Sequence, residues 1–156
     1  MSKTNIATYW QTFLATLPDD APAHTATYTA EPFGDNPALA DELGALVLEG
    51  KKTATCSALW EWEAEGNPVT TAGSFWIVLD GSGAPLCIVE TVEVAFRRYV
   101  EVDAAFAYAE GEGDRSLEYW RAAHQRFFTR TLAAIGREFA TDMPLVCERF
   151  RVVYRG

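Results

Sequence analysis

The chain has few residues that bind metals or form disulfides. In 156 residues there are three cysteines, two histidines and two methionines. Cys56, Cys87 and Cys147 are too far apart for a Cys-x-x-Cys motif, and each lies in an apolar, β-like run. Buried, reduced thiols are therefore expected rather than a disulfide framework. His24 and His124 have no ligand spacing to each other or to the cysteines, so neither a zinc site nor a metal or other cofactor is expected. No apolar run reaches the roughly 18 residues of a membrane span. The start, Met1 to Ile6, has no signal-peptide apolar core, so a cytoplasmic location away from membranes is expected. Positive charge is also scarce. Thirteen basic residues face twenty-two acidic ones, a net charge of −9. That balance argues against tight, non-specific nucleic-acid binding, which relies on neutralising phosphates. It leaves room for small positive spots at Lys51-Lys52, Arg97-Arg98 and Arg149-Arg151. There is no internal repeat, no Gly-x-Gly-x-x-Gly loop, no regular βαβ alternation and no Ser-x-Gly nucleophile turn.

What is present is an ordinary soluble composition, 49% hydrophobic and 22% charged, long enough to build a core. Ile6, Tyr9, Trp10, Phe13, Leu14 and Leu17 recur at helical spacing and predict a helix over Asn5–Leu17, broken by Pro18 and Pro22. Thr25–Thr29 alternates as a strand does. Asp35 or Asn36 should cap a second helix that opens with Pro37 and turns Leu39, Leu43, Leu46 and Val47 inward. Ser74–Asp80 and Pro85–Phe96, joined at Asp80-Gly81-Ser82-Gly83, read as a hairpin. Val102–Ala109 and Leu117–Ile135 read as helices and Val146–Tyr154 as a closing strand. The expected fold is α+β, a small, mostly antiparallel sheet or barrel with helices around it. An N-terminal helix and linker over 1–24 would precede one globular unit over 25–156.

The most informative stretch is Glu49-Gly50-Lys51-Lys52-Thr53-Ala54-Thr55-Cys56-Ser57. Gly50 suits a left-handed helix cap. Thr53 and Thr55 share one face of any strand that follows, and Lys52 stands next to them. A lysine beside a threonine can act as base to a hydroxyl nucleophile if its pKa is lowered. Equally, two lysines at a helix C-terminus can be a solvated end that meets the helix dipole. A second stretch, Glu110-Gly111-Glu112-Gly113-Asp114-Arg115-Ser116, could bring carboxylates close to a pocket. It could also be a capped helix start with Glu112 in solvent. Phe33 and Trp60 flank the first stretch and are candidate walls for a flat ligand. His124 reads as a surface or packing histidine.

Gly50-Lys51-Lys52-Thr53-Ala54-Thr55 resembles the Gly-x-Lys-x-x-Thr signature of the ASCH superfamily. Phe33-Gly34-Asp35-Asn36, the acidic loop through Leu117, and Cys147-Glu148-Arg149-Phe150 agree with it, and the likeness covers about Tyr28 to Tyr154. The resemblance implies a barrel related to the PUA RNA-binding domain. It also implies amidohydrolase activity on N(4)-acetylcytidine and related acylated cytosine nucleosides, as in small bacterial members. Other members of the superfamily are metal-dependent ribonucleases. Carried onto this chain, the catalytic residues are Lys52, Thr55 and Glu112, with Glu110 the rival for the acid. Phe33, Lys51, Ser57, Trp60 and Glu110 are the expected substrate contacts, and no obligate protein partner is implied.

Lysine titrates near ~10.4 when free, so a useful base needs about 3 units of lowering, roughly 4 kcal/mol. A nearby glutamate would oppose that. Either the carboxylate stays away, or Lys52 works as a charged hydrogen-bond donor. A ribonuclease or a non-catalytic RNA-binding module are the alternatives, and the charge of −9 disfavours both.

Overall fold

The apolar face of the first segment winds into α1, Lys3–Leu14, which ends three residues before the expected Leu17. The Thr16 hydroxyl donates to the Phe13 carbonyl, and Leu17 N–H to Leu14, which closes the end in tight turns. The structure, a computed structural model, describes residues 3–156, and side chains from residue 5 onward. Its element order continues β1 (Tyr28–Pro32), α2 (Pro37–Glu49), β2 (Ala54–Ala58), α3 (Leu59–Glu65), β3 (Phe75–Leu79) and β4 (Pro85–Arg98). The chain then forms α4 (Ala104–Glu110), α5 (Leu117–Ala133) and β5 (Pro144–Tyr154).

The expected strand at Thr25–Thr29 is displaced. Pro22–Thr25 is a 3-10 turn, and β1 starts at Tyr28. The alternating Thr-Ala-Thr-Tyr-Thr pattern contains one large apolar residue, so it fixes no register by itself. Pairing with β3 fixes it, from Tyr28 opposite Phe75 to Pro32 opposite Leu79. That pair is parallel, whereas β3–β4 and β2–β5 are antiparallel. Hydrogen-bonded neighbours run β1-β3-β4-β5-β2, giving the mostly antiparallel sheet and α+β class that the pattern predicts.

The chain forms two compact units, interleaved in sequence. The first holds Met1–Lys51, Ala72–Val92 and Phe150–Gly156, and the second Lys52–Thr71 and Glu93–Arg149. In the first, strand alternation sends neighbouring side chains to opposite faces. Phe75, Ile77 and Ile88 pack with Trp10, Phe13 and Leu14 of α1. Val78, Cys87 and Val89 pack with Leu43 and Val47 of α2, and with Phe33 and Phe150. In the second unit, Ala54 and Ala58 of β2 meet Leu145 and Cys147 of β5. Over them lie Phe106, Ala107 and Ala109 of α4 and Trp120, Phe128 and Leu132 of α5. Small residues on β2 let both helices approach closely. Among the described residues no helix is long and apolar enough to cross a membrane.

Candidate active site

Two glycines frame the site. Asn36 caps α2 through its side chain, and α2 ends at Gly50, whose φ of 81° is left-handed. A side chain there would be strained, so glycine is the residue that turns the chain directly into Lys51 and Lys52. The same device ends α4. Gly111, φ 74°, follows Glu110 and turns the chain so that Glu112 comes back towards the helix end. A bond from Thr53 N–H to the Ala109 carbonyl, 2.7 Å, ties the approach to β2 to the end of α4.

The result is an ion cluster built around a buried lysine. Lys52 is 2% exposed and Glu110 1%. The Lys52 amine donates to Glu110 Oε1 at 3.0 Å, to Glu112 Oε2 at 3.1 Å and to the Ala54 carbonyl at 2.9 Å. Backbone carbonyls of a strand lie near the plane of the sheet. The bond to Ala54 therefore sets the amine along the edge of β2, the last strand in the order. Glu112 keeps 19% of its side chain exposed, so the cluster meets solvent on that side.

Electrostatics settle the state of the lysine. Burial pushes the Lys52 ammonium down, but Glu110 and Glu112 outweigh it and hold its pKa above the usual lysine range. Lys52 therefore stays protonated, and its surroundings suit the charged donor rather than the lowered base. Burial raises Glu110, yet Lys52, then His124 and Trp120, bring it well below the usual carboxylate range.

His124 and Trp120 belong to this cluster, although the sequence reading left them out. Trp120 Nε1–H donates to Glu110 Oε2 at 2.5 Å. His124 Nε2 lies 3.3 Å from the same oxygen. Its ring stacks on Trp120, centroids 4.2 Å apart. A carbonyl can only accept, so the 2.9 Å contact between Nδ1 and the Trp120 carbonyl assigns a hydrogen to Nδ1. The other nitrogen faces a carboxylate. Burial, the largest single influence, lowers the His124 pKa, but Glu110, Glu112 and the Trp120 carbonyl together outweigh it and hold the value above the ordinary 6.5. The expectation of a packing histidine holds for the ring, and that of a surface position does not. A signal was available: Trp120, His124, Phe128 and Leu132 fall every fourth residue on the buried face of α5. A histidine in such a stripe needs a polar partner.

Strand alternation sends Ala54, Cys56 and Ala58 to the helix-covered face of β2, and Thr55 and Ser57 to the other. Thr55 pairs across the ladder with Glu148, and Ser57 with Val146. Ser57 Oγ accepts from Trp62 Nε1 at 2.8 Å. Trp60 is covered by the Arg137 guanidinium, 4.4 Å from its ring. Lys51 is exposed and pairs with Glu49. Phe33 is a core residue of the first unit, packed on Trp76 at 4.2 Å between ring centroids. The capped helix start holds, but the expectation of Glu112 in solvent does not. Ser116 caps α5 and Asp114 accepts from Ser116 N–H, while Glu112 reaches Lys52. An open hollow of about 510 Å³ in the first unit, lined by 34–37 and 80–83, contains none of the candidate residues.

One set of potential metal ligands occurs among the described residues. A donor atom from each of Cys56, Glu110 and His124 lies within 4.8 Å of the others. The cysteines are free, as expected; Cys87 and Cys147 are buried and Cys56 partly so. Burial, with Glu110 next, raises the Cys56 thiol well above its usual range, so it is neutral.

Comparison with known proteins adds a family. The ASCH domain model matches residues 29–154. An ASCH domain structure from Lactobacillus crispatus JV V101 is 32% identical, with a TM-score of 0.92 over 97% of this chain and 96% of that one. A protein of Enterococcus faecalis V583 is 37% identical, with a TM-score of 0.86 over 98% of this chain and 90% of that one. A hypothetical protein, PH0355, at 12% identity and a TM-score of 0.55, shares the fold alone over 81% of this chain and 100% of its own. No curated protein matches.

Proposed function

This chain belongs to the ASCH domain family, and on that premise we propose that it is an amidohydrolase of N(4)-acetylcytidine and related acylated cytosine nucleosides. The observation that carries the reading is the buried Lys52 ammonium, held by Glu110 and Glu112 at the foot of the strand that bears Thr55. Amide cleavage needs a nucleophile, a positive donor for the developing oxyanion and a group that moves the proton. Thr55 Oγ attacks the acyl carbonyl, and a new C–O bond forms. Lys52, charged at rest, has its three hydrogens on Ala54, Glu110 and Glu112; as Glu112 turns to the threonine, the hydrogen it held turns to the carbonyl oxygen as that becomes negative. Glu112, the partly exposed carboxylate, takes the threonine proton and passes it to the exocyclic nitrogen as the C–N bond breaks. Water then hydrolyses the acyl-threonine, releasing the carboxylic acid. Glu110 acts through Lys52, as its buried counter-charge. The net charge of −9 suits a neutral nucleoside better than a polyanion.

The test is incubation with N(4)-acetylcytidine, with chelator present, following the ultraviolet change as cytidine forms. Turnover that changes little between low and moderate salt is expected. RNA binding would instead fall with about the 0.7 power of salt for each phosphate contact on a single strand. Salt-sensitive RNA cleavage, abolished by chelation and without cytidine release, would overturn the assignment.

A further inference from the structure

We propose that Cys56, Glu110 and His124 form a divalent-metal site, of the kind that takes zinc, separate in function from the amide chemistry. The geometry carries it. Two nitrogen or oxygen ligands, each about 2.0–2.1 Å from a tetrahedral zinc ion, stand about 3.3 Å apart. Glu110 Oε2 and His124 Nε2 are 3.3 Å apart, and Cys56 Sγ completes a set lying within 4.8 Å. The outer shell is also in place. The Trp120 carbonyl holds the hydrogen on His124 Nδ1, which leaves Nε2 as the atom for the ion. Ligating histidines characteristically use such a carbonyl. Trp120 Nε1–H orients the Glu110 carboxylate.

Lys52 does not obstruct the ion, because it holds the other oxygen, Oε1. Taking up the ion as a Cys56 thiolate and through His124 Nε2 displaces whatever protons those two atoms carry, while Lys52 keeps its bonds to Glu110 Oε1 and to Glu112. Cys56 is partly exposed, which offers a way in. Three protein ligands leave a fourth position open.

The test uses tag-free, reduced, full-length protein titrated with Co²⁺ alone. One ion per chain is expected, with a thiolate-to-cobalt charge-transfer band in the near ultraviolet and the strong visible bands of tetrahedral cobalt, bleached by Zn²⁺. Cys56→Ala should lose the charge-transfer band, and His124→Gln should weaken binding by at least about tenfold. Circular dichroism on each variant separates lost binding from lost fold, and Cys56→Ala matches the small neighbours Ala54 and Ala58. Absence of these bands in folded wild-type protein would overturn the site, as would unchanged spectra and affinity in both folded variants. Amide hydrolysis measured with chelator present is a separate readout, so failure of the metal site leaves the amidohydrolase reading standing, and the reverse.

Discussion

One oxygen of Glu110, Oε2, accepts the indole hydrogen of Trp120 at 2.5 Å, while the other, Oε1, holds the Lys52 ammonium at 3.0 Å. A single buried carboxylate thus links α5 to the lysine that precedes β2. Its position at the last residue of α4 is what allows this, because Gly111 turns the chain away immediately afterwards.

Removing the lysine charge strands two carboxylates. Lys52→Met fills much the same volume but leaves Glu110 without its main counter-charge. Breaking a buried pair on one side costs about 3–5 kcal/mol. Urea unfolding should show a loss of that order, together with loss of hydrolysis. A loss below about 1 kcal/mol would mean that relaxation or water compensates Glu110.

The nucleophile is tested by a pair of changes. Thr55→Ala should lower the rate of cytidine release by several orders of magnitude with the fold intact. Thr55→Ser should keep part of the activity through an acyl-serine intermediate detectable by mass spectrometry. Near-normal turnover in the alanine variant would reassign attack to water.

The two glutamates should separate. Glu112→Gln, nearer solvent and still able to accept from Lys52, should cost less stability than Glu110→Gln, yet reduce kcat by about 10²–10⁴ as the proton carrier is lost. Glu110→Gln should chiefly destabilise. Equal effects on both properties at both positions would count against distinct roles.

Much of this arrangement could be read from the sequence where local chemistry decides it. Asn36, Pro37 and Gly50 announce α2 by capping and by the left-handed turn, and the helix falls there. The hairpin of β3 and β4 follows from the turn residues at 80–83. The Lys52–Glu112 contact spans 60 residues of sequence and came from the family likeness, because no spacing rule reaches so far. Register of β1 was lost because a partner strand, not its own pattern, fixes it. For His124 the choice between surface and packing stayed open because its polar partner, Glu110, is on another helix.

Acidity and alkalinity should act on His124 with a definite sign. Its folded pKa is raised above the ordinary 6.5. The stabilisation it contributes is therefore complete below about pH 6.5 and fades as pH rises through the folded value. In chelator, the stability gap between wild type and His124→Gln should be widest near about pH 5.5 and narrow towards pH 9. A gap that widens with pH would show that the ring is neutral in the folded state.

The interleaving of the two compact units bears on the order of synthesis. The second has all its residues once Arg149 has been made, whereas the first needs Phe150–Gly156. Phe150 and Tyr154 pack into the first unit's two apolar clusters, against residues made more than a hundred positions earlier. Without those residues, apolar surface around Trp10, Phe13 and Phe33 lacks part of its cover. A variant truncated after Arg149 should therefore bind an apolar dye more strongly than the full chain, although every residue of the ion cluster is still present.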